Sequence, residues 1–376
     1  MNLKRPYIII PKLIEQPTWG GTYILNLKNW TDKPFLSTKK IGQSYELFSG
    51  TKLLTHITAT ADPQFVPELG NPDTPDIDTD NFPYKKDIDY IDMQTYVNET
   101  GTEMPLLIKI NQAAGNSFQL HVKPGTEDKR WLPKPESWYY FEDGKITCGI
   151  KEGISLEEYK EACLLINNTM KQLSHEVMSG NLSLDDAKTK AKEFIRNINP
   201  WQYVNVMDVK KGQLVDLSMG GVHHSWEEDK ENHPLGNVVY EVQRDVMDPQ
   251  CTIRSFDQGK FKSDGSIREI HIEDYFKYLD ADPAANDINN LKRERVGNSL
   301  LKTPYYSMNI IECENTYTGK TNGTFCHLFV HQGDATITTT EGSVHITQGH
   351  SCFVPAAAES YTITTGIKTV LLQSFI

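Results

Sequence analysis

Apolar residues in this chain recur mostly at alternate positions over short stretches, and each stretch is closed by Gly, Pro, Asn or Asp. Alternation puts the apolar side chains on one face of an extended strand. The pattern therefore predicts strands at Leu106–Ile110, Phe118–Val122, Trp138–Glu142 and Lys145–Ile150. The Glu142-Asp143-Gly144-Lys145 step between the last two predicts a hairpin, because Asp-Gly accepts the positive φ of tight turns. Between Asn322 and Ile376, glycines at 333, 342 and 349 punctuate further alternating strands and predict a second jelly-roll unit.

One block departs from this pattern. From Ser155 to Asn197, the residues Leu156, Tyr159, Cys163, Ile166, Met170 and Leu173 follow helical spacing. A second helix is expected to begin near Ser183, with Asp185 and Asp186 in its first turn. We read the block, about residues 154–198, as a helical insertion packed on a β core and not as a separate functional module. Thr60 to Glu103 is acidic and turn-rich, with Asp73, Asp76, Asp78 and Asp80 among prolines and glycines. It lacks the loop glycine and closing Glu of an EF-hand, so a solvated surface loop is expected.

The length of 376 residues allows two or three packed units. Fifty acidic against 38 basic residues give a formal net charge of −12, which argues against nucleic acid, since phosphate neutralisation needs a basic surface. No apolar run reaches membrane-spanning length, and Ile8-Ile9-Ile10 is too short and too soon followed by Pro11 for a secretory signal. A cytoplasmic protein without membrane contact is expected. The six cysteines form no CxxC pair, which fits reduced packing thiols better than disulfides or a Cys-zinc site.

Candidate chemistry lies in two pairs of segments. In Gln119-Leu120-His121 and Lys134-Pro135-Glu136, alternate residues point the same way if the segments are extended. Gly221-Val222-His223 follows much later, with Glu241-Val242-Gln243 behind it. Two imidazoles, a carboxylate and an amide oxygen make a mixed N/O set that suits Zn²⁺ and leaves a position open. Any one of these residues alone reads as well as a hydrogen-bonded core histidine or a surface group. His327, His331, His345 and His350 lie in the C-terminal unit with no carboxylate at ligand spacing, so core or solvated histidines are expected there.

An ordered set of segments resembles the type I mannose-6-phosphate isomerases of the cupin superfamily. It runs through Trp19-Gly20-Gly21, Ile41-Gly42-Gln43-Ser44-Tyr45-Glu46, Pro105 to Lys109, the candidate metal segments, Thr252 to Asp257 and Leu301 to Tyr306. The resemblance implies a mainly β fold of two cupin-like jelly-roll units with the helical insertion. Residues 1–260 would be the metal-binding catalytic unit, 261–300 a connecting segment and 301–376 a C-terminal unit without a metal site. It also implies one Zn²⁺ per chain and interconversion of mannose 6-phosphate and fructose 6-phosphate through an enediol. The family's metal ligands carry over to Gln119, His121, Glu136 and His223, its catalytic arginine to Arg254, a carboxylate considered for proton transfer to Glu241, and an active-site lysine to Lys134. A small sugar phosphate is the implied partner. The sequence sets no oligomeric state, and a monomer satisfies these features.

Three departures stand out. Val122 and Lys123 precede Pro124 where the family has proline at once; His224 follows His223; and Gln250 occupies a commonly acidic position, with Asp248 a possible substitute. Other readings are therefore kept beside the first: an isomerase for another sugar, a cupin that binds or senses a sugar phosphate without turnover, and an iron dioxygenase. Arg254 paired with Asp257 or Glu241, and Glu241 orienting a ligand histidine, are the structural alternatives for those two residues.

Overall fold

The computed structural model describes residues 1–17, 19–33, 36–62, 65–70, 89–113, 117–225, 229–246 and 249–376. Asp73, Asp76, Asp78, Asp80 and Asp248 lie outside the described residues.

The chain is mainly β, and its described strands form four sheets. A five-stranded sheet places Phe118–His121 between Gly221–Ser225 and Ile253–Phe256. It faces an eight-stranded sheet, the inner sheet, which contains Glu136–Tyr140, Asn237–Arg244, Leu106–Ala113 and Ile41–Leu47. Alternation gives the inner sheet two different faces. Trp138, Tyr140 and Val239 pack with Ile146, Cys148 and Met207 towards the five-stranded sheet. Tyr139, Phe141 and Tyr240 turn the other way and join the main core.

That second face packs on another eight-stranded sheet, the outer sheet, built largely from the C-terminal unit. Phe329 stands 5.8 Å from Phe141 and 5.5 Å from Tyr240, ring centre to ring centre. The N-terminal strand Tyr7–Ile10 also enters the outer sheet, pairing with Ser351–Val354 on one side and Lys52–Leu54 on the other. A four-stranded sheet closes the far side through Ala335, Ile337 and Ile363. The result is two stacked jelly rolls in which the inner sheet is buried on both faces.

The helical insertion forms as expected, as a hairpin of Leu156–Met178 and Leu184–Ile198. Each helix has a serine N-cap: Ser155 Oγ accepts from Glu158 N, and Ser183 Oγ accepts from Asp186 N, relieving backbone donors the first turn leaves unpaired. Tyr159, Cys163, Ile166 and Met170 bury against Phe118, Phe256 and Tyr275. The described residues between Thr60 and Glu103, expected to form a surface loop, include the strands Glu68–Gly70 and Tyr90–Asp92. Met93–Thr100 is a helix that buries Met93 and Tyr96, three residues apart on one face, and Gly101 ends it in the left-handed conformation. All six cysteines are free and buried. Among the described residues no helix is long and apolar enough to cross a membrane.

Candidate metal centre

Strand register brings the segments noted in the sequence together. Gln119 is paired at Cα with His223 on one neighbouring strand and with Arg254 on the other. Across the cavity on the inner sheet, Glu136 pairs with Gln243, and Glu241 pairs with both Trp138 and Lys109. The two sheets therefore present His121, Glu136, His223, Glu241, Lys134 and Arg254 towards one interior space, all of them buried.

His121, Glu136 and His223 form a cluster whose candidate ligand atoms all lie within 4.8 Å of one another. His121 Nδ1 is 2.5 Å from the Cys251 carbonyl oxygen. A carbonyl can only accept, so Nδ1 carries the proton and Nε2 turns a bare lone pair inwards. His223 is set the same way: Nδ1 is 3.3 Å from the Gly221 carbonyl oxygen, and Nε2 is 2.8 Å from Glu136 Oε1. Three acceptors thus converge, and His121 Nε2 and Glu136 Oε1 make no hydrogen bond. Buried acceptors left this way cost free energy unless a cation satisfies them. The donor set and its second-layer carbonyls fit a borderline divalent ion such as zinc.

Gln119 stands beside the cluster, its amide nitrogen donating to His223 Nε2 at 2.8 Å. A half-turn of the amide would present oxygen at the same place.

Charge around the cluster is paired. Lys134 Nζ lies 2.7 Å from Glu136 Oε2 and 3.6 Å from Glu241 Oε1. Burial acts against the Lys134 ammonium, but the two carboxylates outweigh it and raise its pKa. Burial likewise acts to raise Glu136, yet Lys134, His223 and His121 hold it well below the usual carboxylate range. Glu241 moves the other way: burial pushes its carboxyl up, with the Glu136 charge adding to it. Asn111 donates to Glu241 Oε2, and Lys109 Nζ is 3.2 Å from Oε1. Burial lowers His121 to about 4. Arg254 donates from Nε to Ser117 Oγ at 3.1 Å.

Lys109, Asn111, Ser117, Gln119, Lys134, Glu136, Glu241 and Arg254 line a cavity of about 1630 Å³ whose walls carry eleven basic and four acidic side chains. In a chain of net charge −12, that concentration marks the cavity for an anionic ligand. His224 turns to the opposite face, as expected of the residue after His223. It stacks on Phe118 with ring centres 4.5 Å apart and meets the Gln258 amide. Lys123 pairs with Asp280, and neither it, His224 nor Gln250 lines the cavity. Three residues absent from the sequence reading of the site act here: Lys109 and Asn111 on Glu241, and Ser117 on Arg254. Alternation on the Leu106–Ala113 strand was the signal for two of them, since Lys109 and Asn111 share the face opposite Ile108 and Ile110.

The fold and site define a double-jelly-roll protein of the cupin type with an internal His-Glu-His cluster. Residues 298–374 match the family model described as mannose-6-phosphate isomerase, cupin domain. Over nearly its whole length the chain shares the fold of the mannose 6-phosphate isomerase from Bacillus subtilis, with 16% identity, 99% of this chain and 100% of that chain covered, and a TM-score of 0.65. A putative mannosephosphate isomerase from Archaeoglobus fulgidus gives 15% identity, 99% and 98% coverage and a TM-score of 0.63. A zinc-bound mannose 6-phosphate isomerase gives 12% identity, 98% and 99% coverage and a TM-score of 0.63. No curated protein matches the chain. The resemblance read in the sequence is thus matched by the C-terminal family model and by the fold of the entire chain.

Proposed function

We propose that the protein is a zinc-dependent aldose-ketose isomerase that interconverts mannose 6-phosphate and fructose 6-phosphate. The observation that carries this reading is the join between the orphaned acceptor cluster and Glu241, made by Lys134, which stands within ion-pair distance of both Glu136 and Glu241. Residues 1–260 would carry the chemistry, 261–300 connect, and 301–376 form the C-terminal unit without a metal site. The printed names of the structures sharing this fold support the reaction class.

Isomerisation moves a proton from C2 of the aldose to C1 of the ketose and shifts the hydroxyl proton from O2 to O1. His121, Glu136 and His223, with Gln119 turned to offer its oxygen, would hold one zinc ion. When bound, such an ion supplies Lewis-acid stabilisation of the negative charge that develops on the sugar oxygens. Glu241 is the proton carrier in this reading. Its burial weakens the charged form and so brings its pKa nearer the operating pH, while Lys109 and Asn111 fix its position. Lys134 stays charged and balances Glu136 and Glu241 together. Arg254, permanently charged and held by Ser117, stabilises the enediolate from the opposite sheet.

The positions that departed from the family pattern, Lys123, His224 and Gln250, do not line the cavity. The test is a coupled assay for fructose 6-phosphate formed from mannose 6-phosphate. Turnover that a chelator abolishes and zinc restores is expected; no turnover by protein verified to hold zinc rejects the reaction.

A further inference from the structure

Arg254 stands on an edge. Its strand, Ile253–Phe256, is the last of the five-stranded sheet and, among the described residues, pairs on one side only, with Phe118–His121. The register breaks between Arg254 and Phe256, so the ladder loosens directly after the arginine. Backbone groups on an open edge need partners from outside the sheet.

At Arg254 one residue takes both. The His271 backbone N–H donates to the Arg254 carbonyl at 2.8 Å, and the Arg254 N–H donates to His271 Nδ1 at 3.3 Å. His271 is in turn held in place. It precedes the helix Ile272–Tyr278, which buries Ile272 and Tyr275, and its carbonyl accepts from Tyr275 N at 2.8 Å. Its ring meets Trp131 with centres 4.9 Å apart and planes at 67°. Trp131 Nε1 donates to Asp274 Oδ2 at 3.0 Å, and Arg130 donates to the same oxygen. His271 is buried, yet it does not line the cavity.

We propose that His271 is a positioning residue for Arg254, clasping the open edge of its strand and so setting where the guanidinium stands at the cavity. The inference rests on the isomerase reading for the task of Arg254, but not for the clasp itself.

The clasp works in one protonation state. Nδ1 accepts only while it carries no proton; a protonated imidazole donates from both nitrogens and would set two donors face to face. Burial opposes that charge, as do Arg254 and Arg130, while Glu269, 3.8 Å from Nε2, and Asp274 favour it. Burial prevails and lowers the pKa of His271. The clasp is therefore closed at neutral pH and opens in acid.

Two variants separate the acceptor from the bulk of the ring. His271→Asn places an oxygen where Nδ1 stood and accepts at every pH, whereas His271→Leu offers no acceptor. Hydrogen exchange of the Arg254 amide, read by NMR on the full chain, should be at least about tenfold faster in His271→Leu than in the wild type and near the wild type in His271→Asn. In the coupled assay with zinc-loaded protein, His271→Leu should lower kcat by about tenfold to a hundredfold with zinc content unchanged, and His271→Asn should recover most of that loss. As pH falls below about 6.5, wild-type kcat and Arg254 amide protection should drop together, and both should drop less in His271→Asn. Wild-type exchange and kcat in His271→Leu, or equal damage in the two variants, overturns the proposal. If mannose 6-phosphate is never turned over while Arg254 protection is lost in His271→Leu and kept in His271→Asn, the isomerase reading fails and the clasp stands.

Discussion

Gln119 and Arg254 are direct cross-strand partners in the five-stranded sheet, so an amide beside the His-Glu-His cluster and a permanent cation share one face. Among the described residues the Arg254 side chain donates to Ser117 Oγ and the Thr252 carbonyl, and to none of the cluster's atoms. Replacing it should therefore leave the cluster assembled. Arg254→Ala is expected to lower kcat by about 10²–10³-fold with zinc content unchanged by elemental analysis; parallel loss of zinc would make Arg254 a structural residue.

Glu136 behaves differently because it stands between two histidines and a lysine. Glu136→Ala and His223→Ala should lose metal and turnover together. Glu136→Ala also removes the nearer counter-charge of buried Lys134, which should destabilise the protein by about 3–5 kcal/mol. Urea unfolding measures this, and His223→Ala, which strands no buried charge, should cost less.

Acid sensitivity should come partly from histidines far from the cavity. Burial lowers His327 to about 3 and His331 to about 4, against about 6.5 in an unfolded chain. Below about 6.5 the unfolded state takes up protons that the native state refuses, so the stability these groups contribute is complete above that pH and lost as pH falls towards their native values. The melting temperature should fall as pH drops from about 6.5 to 4.5. His327→Leu should fall less steeply, and an unchanged slope would remove His327 from the explanation.

Lys28 and Glu46 form an ion pair at 2.6 Å with both side chains fully buried. Ser44 and Ser351 donate to the same carboxylate, and Lys28 also donates to the Gly349 carbonyl. The network joins the inner sheet to the C-terminal unit. Lys28→Met alone should destabilise by about 3–5 kcal/mol, and Lys28→Met/Glu46→Leu should recover much of that loss. Zinc content should not move in either variant.

Much of the architecture was legible because strand alternation and helical spacing are local signals. Tyr159, Cys163 and Ile166 announced the helical hairpin, but the β-hairpin expected at Asp143-Gly144 does not form: Glu136–Tyr140 and Gly144–Ile150 enter different sheets, so the step is a crossover between sheets, and Gly144 is not among the glycines of positive φ. The convergence of Gln119, His121, Glu136 and His223 depended on register between strands about a hundred residues apart, which spacing alone could suggest but not establish. The helix at Met93–Thr100 was hidden by the acidic, turn-rich composition around it, although Met93 and Tyr96 carried its apolar face. Helical spacing alone does not place Lys188, Lys192 and Arg196 on the cavity wall. Only the packing of Ala191 and Ile195 on Gly259 turns them towards the cavity. The same holds for Tyr240 and His327, whose hydrogen bond at 3.0 Å links residues that no periodicity connects.

The inner sheet shows chemistry on one side and dense aromatic packing on the other, where Phe141 and Tyr240 meet Phe329. A β-strand cannot move one face without moving the other. The C-terminal unit thus acts as a backing plate: among the described residues it lends no side chain to the cavity wall, yet it sets how far Glu136 and Glu241 can drift. Substitutions at Phe329 or Phe141, remote from any sugar, should loosen the reaction geometry before they unfold the chain.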